Sequence, residues 1–229
     1  HGSGETPTLR RVTFAGIPPA ALDLYARLEA DNTRSFWQAN RATFDEAVRG
    51  PVAALCDELA EYGPFHLFRP HNDLRFAKGR PPYKTHQGAY GEREGGAGYY
   101  LQISASGLMA AAGYYAMASD QLTRFRAAVD DETTGAELVE VLAAAPRWLT
   151  PGAIRELKTA PRGYPRDHPR IELLRRAGLM LSRDVGAPAW LHTRRVVTEI
   201  RRTWEAAGPV CDWLDRHVGP STLPPPDAS

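Results

Sequence analysis

Between residues 65 and 117 the chain presents five short aromatic or β-branched runs, at 65–68, 74–77, 89–90, 99–104 and 108–117, each bounded by Gly, Pro, Asn or Ser. Runs of this kind read as strands. The connections between them are too short to hold crossover helices, so the pattern predicts a mostly antiparallel sheet. Tyr100 alternates with Gln102, as a half-buried strand requires, and Ser104-Ala105-Ser106-Gly107 offers a hairpin turn into the next strand. The Gly-rich stretch at 92–98 is expected to be a mobile loop.

Helical patterns flank this region. Ile17-Pro18-Pro19 opens a helix carrying Leu22, Tyr25 and Leu28 at helical spacing, with proline in the tolerated first turn. After Asp31-Asn32-Thr33, Trp37, Phe44, Val48, Val52, Leu55 and Leu59 continue the pattern, interrupted at Gly50-Pro51, so that it reads as two consecutive helices or one kinked helix, and ended by Gly63-Pro64. Further on, Ser119 is placed to cap a helix bearing Leu122, Phe125 and Val129. Helices follow at 135–144 and 169–177, with a helical turn near Ile154 and a further strand at 179–185. Trp190, Val197, Ile200 and Trp204 mark a long amphipathic helix, resuming past Gly208-Pro209 with Trp213 and Leu214. The fold class is α+β: a central, mostly antiparallel sheet packed by N-terminal and C-terminal helices. Residues 1–9 read as a tag remnant and a disordered N-terminus, 10–218 as a single domain, and the Pro- and Ser-rich 219–229 as a disordered tail.

At 229 residues and a net charge of +1, the chain gives no whole-molecule electrostatic reason to bind nucleic acid or an acidic membrane. No apolar run reaches the roughly 18 residues of a membrane span. Cys56 and Cys211 lie in helical segments without a CxxC partner or a histidine at ligand spacing, which suits buried thiols in the cytoplasm. Any basic site must therefore be local.

One such site stands out. Of 28 basic residues only three are lysines, and two of them, Lys78 and Lys84, sit within the stretch Arg75-Phe76-Ala77-Lys78-Gly79-Arg80-Pro81-Pro82-Tyr83-Lys84. An ammonium loses its proton when buried far more readily than a guanidinium does. Arg126 falls one turn past Leu122, at the edge of a buried helix face, where an arginine needs an anion or a carbonyl partner. Arg162 and Tyr164 occupy an irregular stretch, where ligand contacts concentrate.

The order of motifs resembles a known family. Asp31 to Asn40 is similar to an N-N-x-x-W-F helix start with Phe36 and Trp37 in swapped order, and Pro51 follows at a matching distance. Then come Arg75-Phe76 with Lys78, Pro82-Tyr83-Lys84, Gly98-Tyr99-Tyr100, Gly113, Leu122 with Arg126, Pro161-Arg162-Gly163-Tyr164, His168-Pro169 and Leu173-Leu174. Over about 14–217 the chain resembles the bacterial and fungal family catalogued as domain of unknown function 2461. The resemblance implies a single α+β domain and no established activity. The chain departs from it at Gly79-Arg80-Pro81, where the family usually has an acidic residue and a lysine, while Asp73 matches a second acidic position.

Convergent Arg, Lys and Tyr donors suit a phosphate or a carboxylate. The sequence therefore points to a small anionic ligand, a phosphorylated or carboxylated metabolite or a nucleotide, bound by Arg75, Lys78, Tyr83, Lys84, Arg126, Arg162 and Tyr164. Binding alone and binding followed by turnover both fit. Lys84, Tyr83 and His168 are the candidates for proton transfer. A nucleic-acid or protein interaction module without catalysis is the alternative, favoured if the outward members of Tyr99-Tyr100 and Tyr114-Tyr115 lie beside the basic stretch. No metal or cofactor is expected: His66, His71, His86 and His168 lack HExxH or HxH spacing, and no GxGxxG, Walker or GxSxG motif occurs. The oligomeric state is left open.

Overall fold

The computed structural model describes residues 13–73 and 79–224. The strand expected at 74–77, together with Arg75 and Lys78, lies outside the described residues. Six strands, β1 (Phe65–Leu67), β2 (His86–Glu92), β3 (Gly98–Ser104), β4 (Gly107–Tyr114), β5 (Thr150–Gly152) and β6 (Leu179–Gly186), form one sheet in the order β1-β2-β3-β4-β6-β5. Every pairing is antiparallel.

The N-terminal helices pack beneath this sheet. In α1 (Pro19–Ala30) the buried residues Ala21, Leu24, Tyr25 and Leu28 recur at helical spacing. Thr33 caps α2 (Arg34–Ala39), its Oγ1 accepting from Phe36 N at 3.2 Å. The chain then stays helical from α3 (Arg41–Thr43) through a π-helical turn at Phe44–Arg49 into α4 (Gly50–Glu58). Of the two readings of Gly50-Pro51, two consecutive helices or one kinked helix, the structure has a single helical path. Gly50 N–H bonds Asp45 O, five residues back, and this wider winding relieves the clash that a proline ring makes in a regular α-helix.

The C-terminal helix α8 (Arg195–His217) lies across β4 and β6 on the same side of the sheet. It is continuous through Pro209, where the sequence suggested a break. A proline inside a helix costs about 3 kcal/mol. Burial of Trp204 and Ala207 before it, and of Val210, Cys211, Trp213 and Leu214 after it, offsets that cost at about 1.5–3 kcal/mol for each large side chain. In the chain between β4 and β6 come α5 (Ser119–Asp130), α6 (Glu132–Ala144) and the short α7 (Ile171–Leu174), with α5 and α6 packed against α8.

Several local expectations are corrected. Ser119 is the first residue of α5, not its cap: Ala118 N–H is satisfied by Gln121 Oε1 at 3.0 Å. The helix expected at 169–177 is confined to α7, because Arg176 bridges Glu156 in an extension of the β5–β6 hairpin. Ile154 sits beside that hairpin with its N–H on Tyr115 O, not in a helical turn. The tail at 219–224, expected to be disordered, is tied to α5: Asp120 accepts from Ser221 Oγ and Thr222 N, and Arg124 donates to Pro220 O.

The Gly-rich loop after β2, expected to be mobile, is latched by one carboxylate. Asp215, in the last turns of α8, accepts from Arg93 Nε, from Ala97 N at 2.9 Å and from the Tyr114 hydroxyl at 3.0 Å. Arg93 also donates to Asp212 at 2.7 Å, and Tyr114 to Gly95 O at 2.8 Å. Loop, β4 and α8 thus share a single half-buried ion-pair network. Asp215→Ala, which leaves Arg93 and Tyr114 without this acceptor, should lower stability by about 2–3 kcal/mol, the low side of a buried pair because Arg93 is partly solvated. A urea midpoint matching the parent would contradict this reading of the latch.

Candidate functional site on the uncovered sheet face

Strand periodicity divides the sheet into two unlike faces. In β3, Tyr99, Leu101 and Ile103 are buried toward the helices, while Tyr100, Gln102 and Ser104 on the other face keep partial exposure. The register carries this second face across the sheet. His66, Tyr90, Tyr100, Ala111 and Ser182 form one cross-strand row, and Gly88, Gln102, Met109 and Asp184 form the next. Phe68 joins the second row, its N–H donating to Gly88 O at 3.0 Å.

Glycine at 88 makes this surface possible. A Cβ there would run into the Tyr100 hydroxyl and the Phe68 ring. Without it the two rings come to 6.3 Å, and Tyr100 donates to Gln102 Oε1 at 2.8 Å. That bond leaves the Gln102 amide nitrogen as a donor. Burial pushes the Tyr100 hydroxyl up to about 12, with Tyr115 adding to it, so the phenol stays protonated at neutral pH.

Lys84 stands at the edge of this floor. Its ammonium lies 5.4 Å from the Phe68 ring centroid and donates to Arg69 O at 3.0 Å. Burial, and then the neighbouring Arg69, lower its pKa. Two residues on and facing the same way, His86 is held below 6.5 by burial and by Lys84. Lys84, Phe68, Tyr100, Gln102 and His86 therefore present a cation, two aromatic surfaces, an amide donor and a neutral imidazole around one glycine floor. The arrangement suits a flat ring stacked against the aromatics with an anionic group at Lys84.

Tyr83, expected beside Lys84, faces the other way, since neighbours on an extended segment point to opposite sides. It is 5 % exposed and stacks on Trp37 at 4.5 Å. Asn32 fixes its backbone, accepting from Tyr83 N at 3.0 Å and donating to Tyr83 O at 2.9 Å. This clamp sets which way Lys84 points.

Arg126, Tyr164 and His168 do come together, in a separate cluster around Asp130 where α5 meets α7. His168 Nε2 lies 3.1 Å from Asp130, and its Nδ1 accepts from Arg170 N at 3.0 Å, so both ring nitrogens are engaged in holding the turn before α7. Arg126 donates to Leu174 O at 3.2 Å, and burial lowers its pKa, with Tyr164 working in the opposite direction. Arg162 is exposed on the turn closed by Tyr164 N and Pro161 O. No contact among the described residues links this cluster to Lys84.

Sequence reasoning chose Lys84 but treated His86 only as a metal candidate and passed over Phe68 and Gln102. The signal was the two-residue period running from Lys84 through His86 and Gly88 to Tyr90. Among the described residues no group of three or more His, Cys, Asp or Glu could hold a metal ion, and no helix is long and apolar enough to cross a membrane.

The His86 environment is directly measurable. The folded state holds its imidazole neutral, so between the lowered pKa and 6.5 it binds fewer protons than the unfolded chain, and this contribution to stability is lost as pH falls through that window. The imidazole resonance should titrate with a midpoint below 6.5, and Lys84→Gln should move that midpoint upward. A midpoint that ignores Lys84→Gln would place the two groups apart.

The family described as "Conserved hypothetical protein (DUF2461)" matches residues 20–213. No curated protein and no solved structure matches the chain. With almost the whole folded region covered by that match, the chain belongs to the DUF2461 family.

Proposed function

We propose that this domain binds a small anionic ligand on the uncovered sheet face, with a nucleotide or another phosphorylated or carboxylated ring compound fitting best. The supporting observation is the Lys84 ammonium beside the Phe68 ring, on a floor shared with Tyr100 and Gln102. Lys84 pairs with the anion, Phe68 and Tyr100 offer ring surface, and the Gln102 amide gives a directional hydrogen bond. Arg75 and Lys78, from the connection between β1 and β2, are proposed as further cations for the same anion. If the ligand is turned over, Lys84 with its lowered pKa and the neutral His86 are the proton-transfer groups. We place the activity in the cytoplasm, a setting in which the buried free thiols Cys56 and Cys211 remain reduced.

Thermal-shift screening with nucleoside monophosphates tests this reading. A ligand at about five times its dissociation constant should raise Tm by about 2–4 °C, and Lys84→Ala should abolish the shift. Phe68→Ala should weaken it while leaving the preference for a phosphate over the bare nucleoside. No shift at about 10 mM ligand, an affinity too weak to matter, would overturn the proposal, as would a shift unchanged in Lys84→Ala. Steeply salt-dependent binding of single-stranded RNA or DNA, with no response to mononucleotides, would instead favour an interaction module.

A further inference from the structure

The third lysine, Lys158, lies in a part of the molecule that the sheet-face site does not use. Beyond β5 and β6 the hairpin continues, with Ala177 N donating to Arg155 O at 2.9 Å and Leu157 N to Arg175 O at 2.8 Å. The chain then leaves the hairpin at Lys158, loops out, and returns through α7. Between the departing and returning arms lies a recess of about 290 Å³ lined by Lys158, Thr159, Arg166, Ile171, Glu172 and Arg175.

The charges in this recess are unevenly matched. Arg175 is fixed in place: its Nε donates to Leu157 O, and its Nη1 donates to the Glu172 carboxylate at 3.1 Å. Glu172, the one acid of the lining, is thereby engaged. Lys158 and Arg166 have no acidic partner among the described residues and are exposed, so neither pays a burial penalty that an internal carboxylate would have to offset. Arg166 is carried on a turn closed by His168 N and Pro165 O, and Lys158 follows directly on the Leu157–Arg175 pairing. Two unpaired cations are thus held by separate fixed backbone anchors on one recess, with the Thr159 hydroxyl as a neutral donor and Ile171 as an apolar wall. A chain of net charge +1 has no general excess of cations to scatter here.

We propose that this recess is a second ligand site, one that takes a small phosphate monoester. The dianionic group sits between Lys158 and Arg166 with Arg175 behind it, and the carbon portion lies against Ile171. A dianion matches two unpaired cations, whereas a single carboxylate would leave one unneutralised. The recess is at the small end of ligand pockets, which begin near 300 Å³, so the organic portion is short.

Calorimetric titration with glycerol 3-phosphate and with inorganic phosphate, in about 0.15 M potassium chloride to screen diffuse surface attraction, decides the matter. Saturable binding with Kd on the order of 1 mM is expected, tighter for glycerol 3-phosphate than for phosphate. The Lys158→Ala/Arg166→Ala double variant changes only exposed side chains and should bind at least about tenfold more weakly, the loss expected for removing charge-assisted hydrogen bonds. Backbone amide shifts on titration should centre on residues 157–175 and persist in Lys84→Ala, which separates this site from the one on the sheet face. Absence of saturation, undiminished shifts at 157–175 in the double variant, or loss of these shifts in Lys84→Ala would each overturn the proposal.

Discussion

Everything in this molecule is organised by the burial of one side of an antiparallel sheet under α8. A helix of this length with Ile200, Trp204, Ala207, Cys211 and Leu214 on one stripe has to cover a correspondingly long apolar surface, and β4 and β6 supply it. Trp204 meets Tyr62, Tyr99 and Phe65 with ring centroids 4.9–5.8 Å apart, so the N-terminal segment, the sheet and the C-terminal helix converge on a single aromatic cluster. Where α8 ends, Asp215 turns the same contact polar and fixes the loop after β2. The helix therefore sets both the hydrophobic packing and an electrostatic latch on the sheet.

Committing one face so completely determines the character of the other. Because side chains alternate along a strand, each core residue in β2 and β3 obliges its neighbours to point away from α8. Ala89, Leu101 and Ile103 go in, and Gly88, Tyr90, Tyr100 and Gln102 come out. The outward tyrosines bury much of their rings against glycine backbone, Tyr90 over Gly98 and Tyr100 over Gly88, instead of against a second layer of helices. Half-buried phenols and a half-buried lysine are the product of that arrangement. Such groups retain accessible surface while being held rigidly, which a binding surface requires.

The sequence made the class of fold readable because strand length and connection length are local properties. Short runs between residues 86 and 114 with tight turns leave few topologies other than antiparallel neighbours. The continuity of α8 through Pro209 was not readable, since local propensity there is overruled by burial that only the assembled core provides. The same holds for the candidate site. Lys84 drew notice by its rarity and Tyr100 by its pairing with Tyr99, but the partition between Tyr83 and Lys84 depends on Asn32, more than fifty positions earlier in the chain. Residue type alone grouped Arg126, Tyr164 and His168 with Lys84 in one site, whereas these three gather around Asp130. Their distance from Lys84 follows from the path of α5 against α7 and α8, which no sequence spacing encodes.

The two ends of the sheet carry a last implication. Its edges are β1 and β5, each three residues long, and β5 places Pro151 in the middle, where no N–H is available for another strand. Gly63 and Pro64 stand immediately before β1 and shorten that edge as well. Among the described residues these two edge strands offer an incoming peptide only short ladders to extend, which disfavours edge-to-edge growth into larger sheets. Under the proposed function, recognition is left to side chains presented perpendicular to the sheet. Its specificity can accordingly change through substitutions at alternate positions of β2 and β3 without altering how the strands pair.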